Sequence, residues 1–96
     1  MFTHVVLFKL NEPTNEKVKY FSDVLKGMKG NIPQLKEVEV GIDELRSERS
    51  FDICLITRFD SLEDMKAYQI HPYHVNEVLA KIKPYIEVST VADYSV

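Results

Sequence analysis

Apolar positions along the chain repeat with two different periods. In four stretches, β-branched and aromatic residues occupy alternate positions or short runs bounded by turn-forming residues, which is the pattern of β-strands. Val38, Val40 and Ile42, for example, alternate with polar or small neighbours. The predicted strands span residues 2–10, 36–45, 51–60 and 85–94.

The two longer intervals between these strands have the period of an α-helix. Thr14 is a candidate N-cap for the first helix, and the apolar residues that follow mark one helical face before Gly27 and Gly30 end it. These apolar residues are Val18, Phe21, Val24, Leu25 and Met28. The first helix is therefore expected to lay one apolar face on the sheet.

The second helical interval begins with a capping sequence and contains a break. Ser61 can accept a hydrogen bond from a backbone N–H, and Asp64 follows near the positive end of the helix. Pro72 interrupts the helix, which can resume there with Pro72 in a new first turn and continue to Pro84. The apolar stripe of this interval consists of Leu62, Met65, Tyr68, Val75, Val78, Leu79 and Ile82.

The order of elements is β-α-β-β-α-β, which is the ferredoxin-like arrangement. Right-handed crossovers place both helices on the same face of one four-stranded antiparallel sheet. A chain of 96 residues has the size of one domain, so residues 1–96 are predicted to form a single α+β domain.

Several predicted strands are apolar on both faces. His4, Val6 and Phe8 point to one side of the first strand, whereas Val5 and Leu7 point to the other. The third strand divides its apolar residues between Ile53, Leu55 and Phe59 on one face and Cys54 and Ile56 on the other, and the fourth divides them between Ile86, Val88 and Ala92 on one face and Val91 on the other. A sheet with one wet face would instead alternate apolar with polar residues.

Because two helices cover only one face, something else must cover the second. We expect a homodimer in which the same sheet of a second copy does so, since isologous dimers are the commonest oligomers. The alternative is a monomer with an exposed apolar face, which would tend to aggregate.

Composition narrows the function classes. The formal charge is −3 and the pI is about 5.6, whereas nucleic-acid binders carry basic patches and a high pI. We therefore expect neither nucleic acid nor an anionic membrane as a partner. The N-terminal apolar run is too short for a signal peptide or a bilayer span, so the expected location is the cytoplasm. Cys54 is the single cysteine, and its place in a strand predicts an unreactive packing thiol.

A series of short motifs carries a family resemblance over nearly the whole chain. The motifs are His4-Val5-Val6-Leu7-Phe8-Lys9, Ile32-Pro33 before Val40-Gly41, Ser50-Phe51-Asp52, Phe59-Asp60-Ser61-Leu62, Ala67-Tyr68-Gln69-Ile70-His71-Pro72-Tyr73-His74 and Ala92-Asp93-Tyr94. The pattern Tyr-x-x-His-Pro-x-His is the most specific of them. Together they resemble the stress-responsive A/B barrel (Dabb) family, which implies a ferredoxin-like subunit whose sheet packs on that of a second subunit as a dimeric α+β barrel.

The resemblance also implies candidate chemistry. One branch of the family looks like a set of polyketide cyclases, which close a ring by aldol chemistry with a Tyr and a His. The matching catalytic positions here are Tyr68 and His74. A tyrosine hydroxyl can donate to a substrate carbonyl as negative charge develops, and imidazole titrates near neutral pH and can act as a general base. Their structural alternatives are a core aromatic with a bonded hydroxyl and a partly exposed helix residue.

The candidate substrate-binding residues are His4, Val6, Phe8 and His71. His4 matches a pocket-lining histidine of the family, and it shares one strand face with Val6 and Phe8. Its structural alternative is a neutral core histidine bonded to one neighbour. If that face is the helix side, His4 approaches the two catalytic candidates from the sheet. His71 directly precedes a proline, which disfavours helical backbone angles, so a cap at the helix break is its structural alternative.

The three histidines also suggest a zinc site. The spacing of His71 and His74 is short, however, and no acidic residue completes a recognised ligand pattern around them and His4. We therefore expect no metal. The chain contains neither a phosphate loop nor a dinucleotide fingerprint, and no cofactor is predicted.

Three functions remain open. The first is a homodimer that binds a small apolar or carbonyl-containing molecule. The second is a cofactor-free, polyketide-cyclase-like lyase in which His74 is the general base and Tyr68 the hydrogen-bond donor. The third is a small monooxygenase or isomerase, as other dimeric α+β barrels imply. A cavity that both Tyr68 and His74 face would favour the second function over the first.

Overall fold

The computed structural model describes residues Met1–Val96, and the predicted elements follow one another in the predicted order. The strands are β1 (Phe2–Leu10), β2 (Glu37–Ile42), β3 (Ile53–Phe59) and β4 (Ile86–Ser95). They form one sheet in the order β2-β3-β1-β4, in which all neighbouring strands are antiparallel. The predicted ferredoxin-like α+β fold is confirmed.

The helices cover one face of this sheet. They are α1 (Asn15–Lys26), α2 (Leu62–Ile70), a π-helix (Tyr73–Leu79) and α3 (Ala80–Ile82), followed by a 3₁₀ turn at Lys83–Tyr85. Both predicted N-caps are present, because Thr14 accepts from the N–H of Lys17 and Ser61 accepts from the N–H of Asp64. No helix has the length and apolar character that crossing a bilayer requires.

The break in the second helical interval is sharper than the sequence pattern predicts. The backbone of His71 is extended, with φ −62° and ψ 136°, because a following proline disfavours helical angles. The chain then resumes after Pro72 as a π-helix rather than an α-helix. Such wide turns are rare and are often found at functional sites.

The predicted second strand is too long at its C-terminal end. It stops at Ile42, because the Asp43 carboxylate accepts from the N–H of Arg46 at 2.8 Å and this local bond competes with sheet pairing. Arg46 adopts a left-handed conformation with φ 56°. The buried Asp52 carboxylate then accepts from the Arg46 guanidinium and from the N–H of Leu10, both at 2.7 Å. The loop is thereby fixed to the end of β1.

One face assignment in the last strand is wrong. Ile86 was expected beside Val88 and Ala92, but it pairs with Leu10 and packs against the core. The cause is a register shift between Lys9 and Leu10, which moves Ile86 to the helix side while Val88 stays opposite Lys9 on the other face.

The sheet face away from the helices, here called the open face, is apolar at its centre. Val5 of β1 lies between Ile56 of β3 and Ala92 of β4, and Leu7 pairs with Cys54. In the single chain Val5, Leu7, Cys54 and Ile56 are only partly buried and Ala92 is exposed. The hydrophobic core of 16 residues lies on the opposite side, between sheet and helices.

Candidate functional site

The inward face of β1 forms the floor of a cavity between the sheet and the helices. His4, Val6 and Phe8 lie on this face, and all three are buried. Antiparallel pairing places Leu55 of β3 on one side of Val6 and Val91 of β4 on the other. The three β1 residues named as substrate-binding candidates therefore lie together on the floor of the cavity.

Side chains from the helices close the cavity from above. Tyr68 comes from α2, His74 from the π-helix and Leu25 from α1. The cavity has a volume of about 220 Å³, and 10 of its 14 lining residues are hydrophobic. The lining residues are His4, Val6, Phe8, Leu25, Leu55, Tyr68, Gln69, His74, Val78, Leu79, Ile82, Ile86, Ser89 and Val91. A water molecule takes up about 30 Å³ in the liquid, so the cavity can admit a small organic molecule.

Tyr68 is almost completely buried and contacts both histidines of the cavity. Its ring centroid lies 4.4 Å from that of His74 and 6.4 Å from that of His4. Its hydroxyl donates to the sulfur of Met28 at 3.6 Å. Burial raises the pKa of the hydroxyl well above its ordinary value, so Tyr68 is a hydrogen-bond donor at neutral pH and not a base.

His74 is held by one ring nitrogen. Its Nδ1 lies 3.0 Å from the carbonyl oxygen of Gln69, and because a carbonyl can only accept, Nδ1 carries the proton. The neutral ring then has its free lone pair at Nε2. Burial lowers the pKa of the imidazole, the bond to Gln69 opposes this, and the nearby His4 and His71 lower it further. His74 is thus neutral at pH 7 and available as a base.

His4 has a partner that sequence reasoning missed. Its Nδ1 is hydrogen-bonded to the carboxylate of Asp93, the residue directly opposite in β4. A carboxylate accepts, so His4 carries a proton on Nδ1. One feature of the sequence could have predicted this contact, because Asp93 lies two residues from Val91 and therefore on the same face of β4.

His71 is not brought together with the other candidates. It ends α2, and its Nδ1 accepts a hydrogen bond from the N–H of Tyr73 at 3.1 Å. It does not line the cavity. Its position matches the capping alternative, and its substrate-binding role has no geometric support.

Two other features bear on what the molecule can bind. No group of three or more His, Cys, Asp or Glu side chains is arranged to hold a metal ion. A second hollow of about 290 Å³ opens beside Leu7, Asp52 and Cys54. It is larger than the inner cavity, but it lacks any histidine or tyrosine and borders the open face, so we place the candidate chemistry at the inner cavity.

Comparison with known proteins agrees with the fold. The family model described as "Stress responsive A/B Barrel Domain" matches residues 2–96. Among curated proteins, none matches the chain.

Solved structures give the same result. A dimeric ferredoxin-like protein of unknown function from Bacteroides fragilis is 31% identical, with a TM-score of 0.81 over 99% of this chain and 95% of that one. A similar dimeric protein from Thermobifida fusca is 26% identical, with a TM-score of 0.85 over 99% of this chain and 90% of that one. A hydroxynitrile lyase from Passiflora edulis shares the fold at 17% identity, with a TM-score of 0.83 over 99% and 92% of the two chains.

Proposed function

Since the chain belongs to the stress responsive A/B barrel domain family, we propose that it is a homodimer whose subunits each bind a small neutral carbonyl compound. We propose further that His74 removes a proton from the carbon next to that carbonyl while Tyr68 donates to the oxygen. The observation that carries this proposal is the shared cavity, which Tyr68 and His74 both line with their rings 4.4 Å apart.

The lining supports a neutral ligand. No Lys or Arg is among the lining residues, so a carboxylate or phosphate would enter without a cation to compensate its charge. The Tyr68 hydroxyl can donate to a carbonyl oxygen, whereas the free Nε2 of His74 can only accept a proton or a hydrogen bond. An uncharged carbonyl compound can accept from Tyr68 through its oxygen, present an adjacent C–H to His74 and keep its remaining atoms in apolar surroundings.

The cavity also gives the ligand an orientation. Of the β1 residues that line the cavity, His4 and Phe8 are the outermost, four residues and therefore about 13 Å apart along the strand. Tyr68 and His74 gather near His4, whereas Ile86 packs beyond the pairing of Phe8 with Ser89. The carbonyl of the ligand is expected near His4 and its apolar part over Val6 toward Phe8.

The proton transfer requires only side chains. Nε2 of His74 takes the proton, the C–H bond breaks, and its electron pair passes into an enolate whose oxygen accepts from the Tyr68 hydroxyl. That hydroxyl now donates only to the sulfur of Met28, which is a weak acceptor, so a carbonyl oxygen can displace it at little cost. The enolate carbon can then attack a second carbonyl, and protonated His74 returns the proton to the product.

The cyclase-like function is favoured over binding alone because His74 lines the cavity and its proton is held on Nδ1 by the hydrogen bond to the Gln69 carbonyl. The other ring nitrogen, Nε2, is therefore free to take a proton.

The homodimer is proposed through the open face. Val5, Leu7, Cys54 and Ile56 form an apolar centre that the helices leave uncovered. The similar proteins from Bacteroides fragilis and Thermobifida fusca are described as dimeric, which supports a dimer here. A second copy of the sheet would bury this centre and leave the inner cavity complete within each subunit.

The binding step is tested with 2-heptanone labelled with ¹³C at the carbonyl. The wild-type protein should bind it and shift the carbonyl signal downfield, because a hydrogen-bond donor polarises the C=O bond. Tyr68→Phe should lose that shift, whereas Tyr20→Phe, at an exposed tyrosine outside the cavity, should retain it. Hexanoate, a carboxylate of similar length, should bind far more weakly. Equal binding of ketone and carboxylate, or the same shift in Tyr68→Phe, would contradict the proposal.

A further inference from the structure

Tyr68 and Tyr73 lie on either side of the His71–Pro72 step. Their hydroxyl groups donate hydrogen bonds to two consecutive residues at the C-terminal end of α1. The Tyr73 hydroxyl donates to the carbonyl of Gly27 at 3.0 Å, and the Tyr68 hydroxyl donates to Met28. The bonded residues are 46 and 40 positions apart in the sequence, respectively. The two bonds connect α2 and the π-helix, which cover the cavity, to the C-terminal end of α1.

Gly27 is suited to this contact by its lack of a side chain. Its φ of −65° is helical and would suit any residue, so its conformation does not require glycine. A Cβ atom at this position would lie 3.3 Å from the Tyr73 hydroxyl, closer than ordinary van der Waals contact. The Gly27 carbonyl also accepts from the side-chain amide of Asn31 at 2.7 Å, which fixes the acceptor in place.

Tyr73 is held at its backbone as well as at its hydroxyl. Its N–H donates to Nδ1 of His71, and its side chain packs against the core. The next residue is His74, in the first turn of the π-helix. A π-helix is an uncommon geometry, so contacts outside it are needed to keep the chain from relaxing to an α-helix.

We propose that Tyr73 is a positioning residue whose bond to Gly27 sets the register of this turn and so holds the His74 ring against Tyr68. The consequence for proton transfer rests on the proposed function, whereas the placement of His74 does not. A displacement of about 1 Å at a reacting group can lower a rate about hundredfold, so losing the Tyr73 hydroxyl should slow proton transfer by up to that factor.

The placement is tested by following the imidazole signals of His74 by NMR during a pH titration of the ligand-free protein. In the wild type, burial against Tyr68 keeps the pKa of His74 below its ordinary value. Tyr73→Phe keeps the ring and removes the hydroxyl, so the His74 ring should gain solvent and its pKa should rise toward the ordinary value. Tyr20→Phe is the matched control, because Tyr20 lies on α1 outside the cavity, and it should leave the titration unchanged.

Gly27→Ala tests the same contact from the other side. Its methyl group should displace the Tyr73 hydroxyl and move the His74 titration as Tyr73→Phe does, and adding Gly27→Ala to Tyr73→Phe should move it little further. If Tyr73→Phe does not fold, the His74 titration of Gly27→Ala alone tests the proposal. A wild-type His74 titration in the folded variants would overturn the proposal. A wild-type protein without proton-transfer activity would contradict the proposed function and leave this result intact.

Discussion

The His4 imidazole and the Asp93 carboxylate are hydrogen-bonded across the pairing of the first and last strands, 89 residues apart in the sequence. The bond fixes a proton of His4 on Nδ1. It also ties the edge strand β4 to the centre of the sheet at the polar end of the cavity.

Asp93→Ala should therefore weaken both the strand pairing and the site. Asp93 is partly exposed, so we expect a loss of about 1 kcal/mol in the free energy of unfolding, measured by urea denaturation. Nitrogen chemical shifts should show His4 as a mixture of tautomers. Glu87→Ala, at an exposed position of the same strand without an ion pair, is the control and should change neither quantity. A single His4 tautomer in Asp93→Ala would contradict the assigned role.

Val5→Asp should dissociate the dimer. Val5 lies at the centre of the open face, so a second subunit would bury an unpaired charge, which costs about 3 kcal/mol or more and weakens association about hundredfold. Light scattering should then show the single-chain mass of 11.2 kDa, whereas the wild type should show twice that mass. Ile70→Asp, at an exposed position on the helix side, should remain dimeric. A soluble wild-type monomer would refute the proposed interface.

Cys54 should report the same interface through its reactivity. It is only partly buried in the single chain, yet burial, together with Glu39, raises the pKa of its thiol. Little thiolate is present at neutral pH, and a second subunit would also block access. A bulky thiol reagent should thus label the wild-type dimer slowly and Val5→Asp faster, with full labelling in urea. Fast labelling of the wild-type dimer would show that the open face is free.

The burial of His74 predicts a pH dependence of stability. Its folded-state pKa lies below the ordinary value of 6.5, so the unfolded chain binds more protons in this range. The contribution of His74 is full above about pH 6.5 and is lost as pH falls through the lower folded-state pKa. His74→Asn should therefore flatten the fall in unfolding free energy between about pH 7 and pH 5. Parallel pH curves for variant and wild type would contradict this assignment.

The sequence pattern was sufficient for the architecture because the signals were local. Strand alternation, the caps at Thr14 and Ser61, and the proline at position 72 each act within a few residues, and the elements formed where they predicted. The face of β1 that carries His4 could not be chosen from alternation alone. It was decided by which side the helices cover, a property of the whole fold.

The features that escaped prediction depend on contacts between distant segments. The register shift that turns Ile86 inward follows from how β4 pairs with β1 at Leu10. Asp93 became a partner of His4 only through that same pairing. The π-helix likewise depends on what Tyr73 and its neighbours contact, because helical periodicity cannot distinguish a wide turn from an α-helical one over seven residues.

Exchange of the hydrogens next to the carbonyl of 2-heptanone for deuterium in D₂O tests the central claim most directly, since it detects proton removal without knowledge of the natural substrate. The wild-type protein should accelerate exchange above the buffer rate, and His74→Ala should reduce the acceleration about 100-fold or more. Tyr68→Phe should also reduce it, whereas Asn76→Ala, on the solvent side of the π-helix, should not. Exchange at the buffer rate with the wild type, or equal acceleration by His74→Ala, would contradict the account.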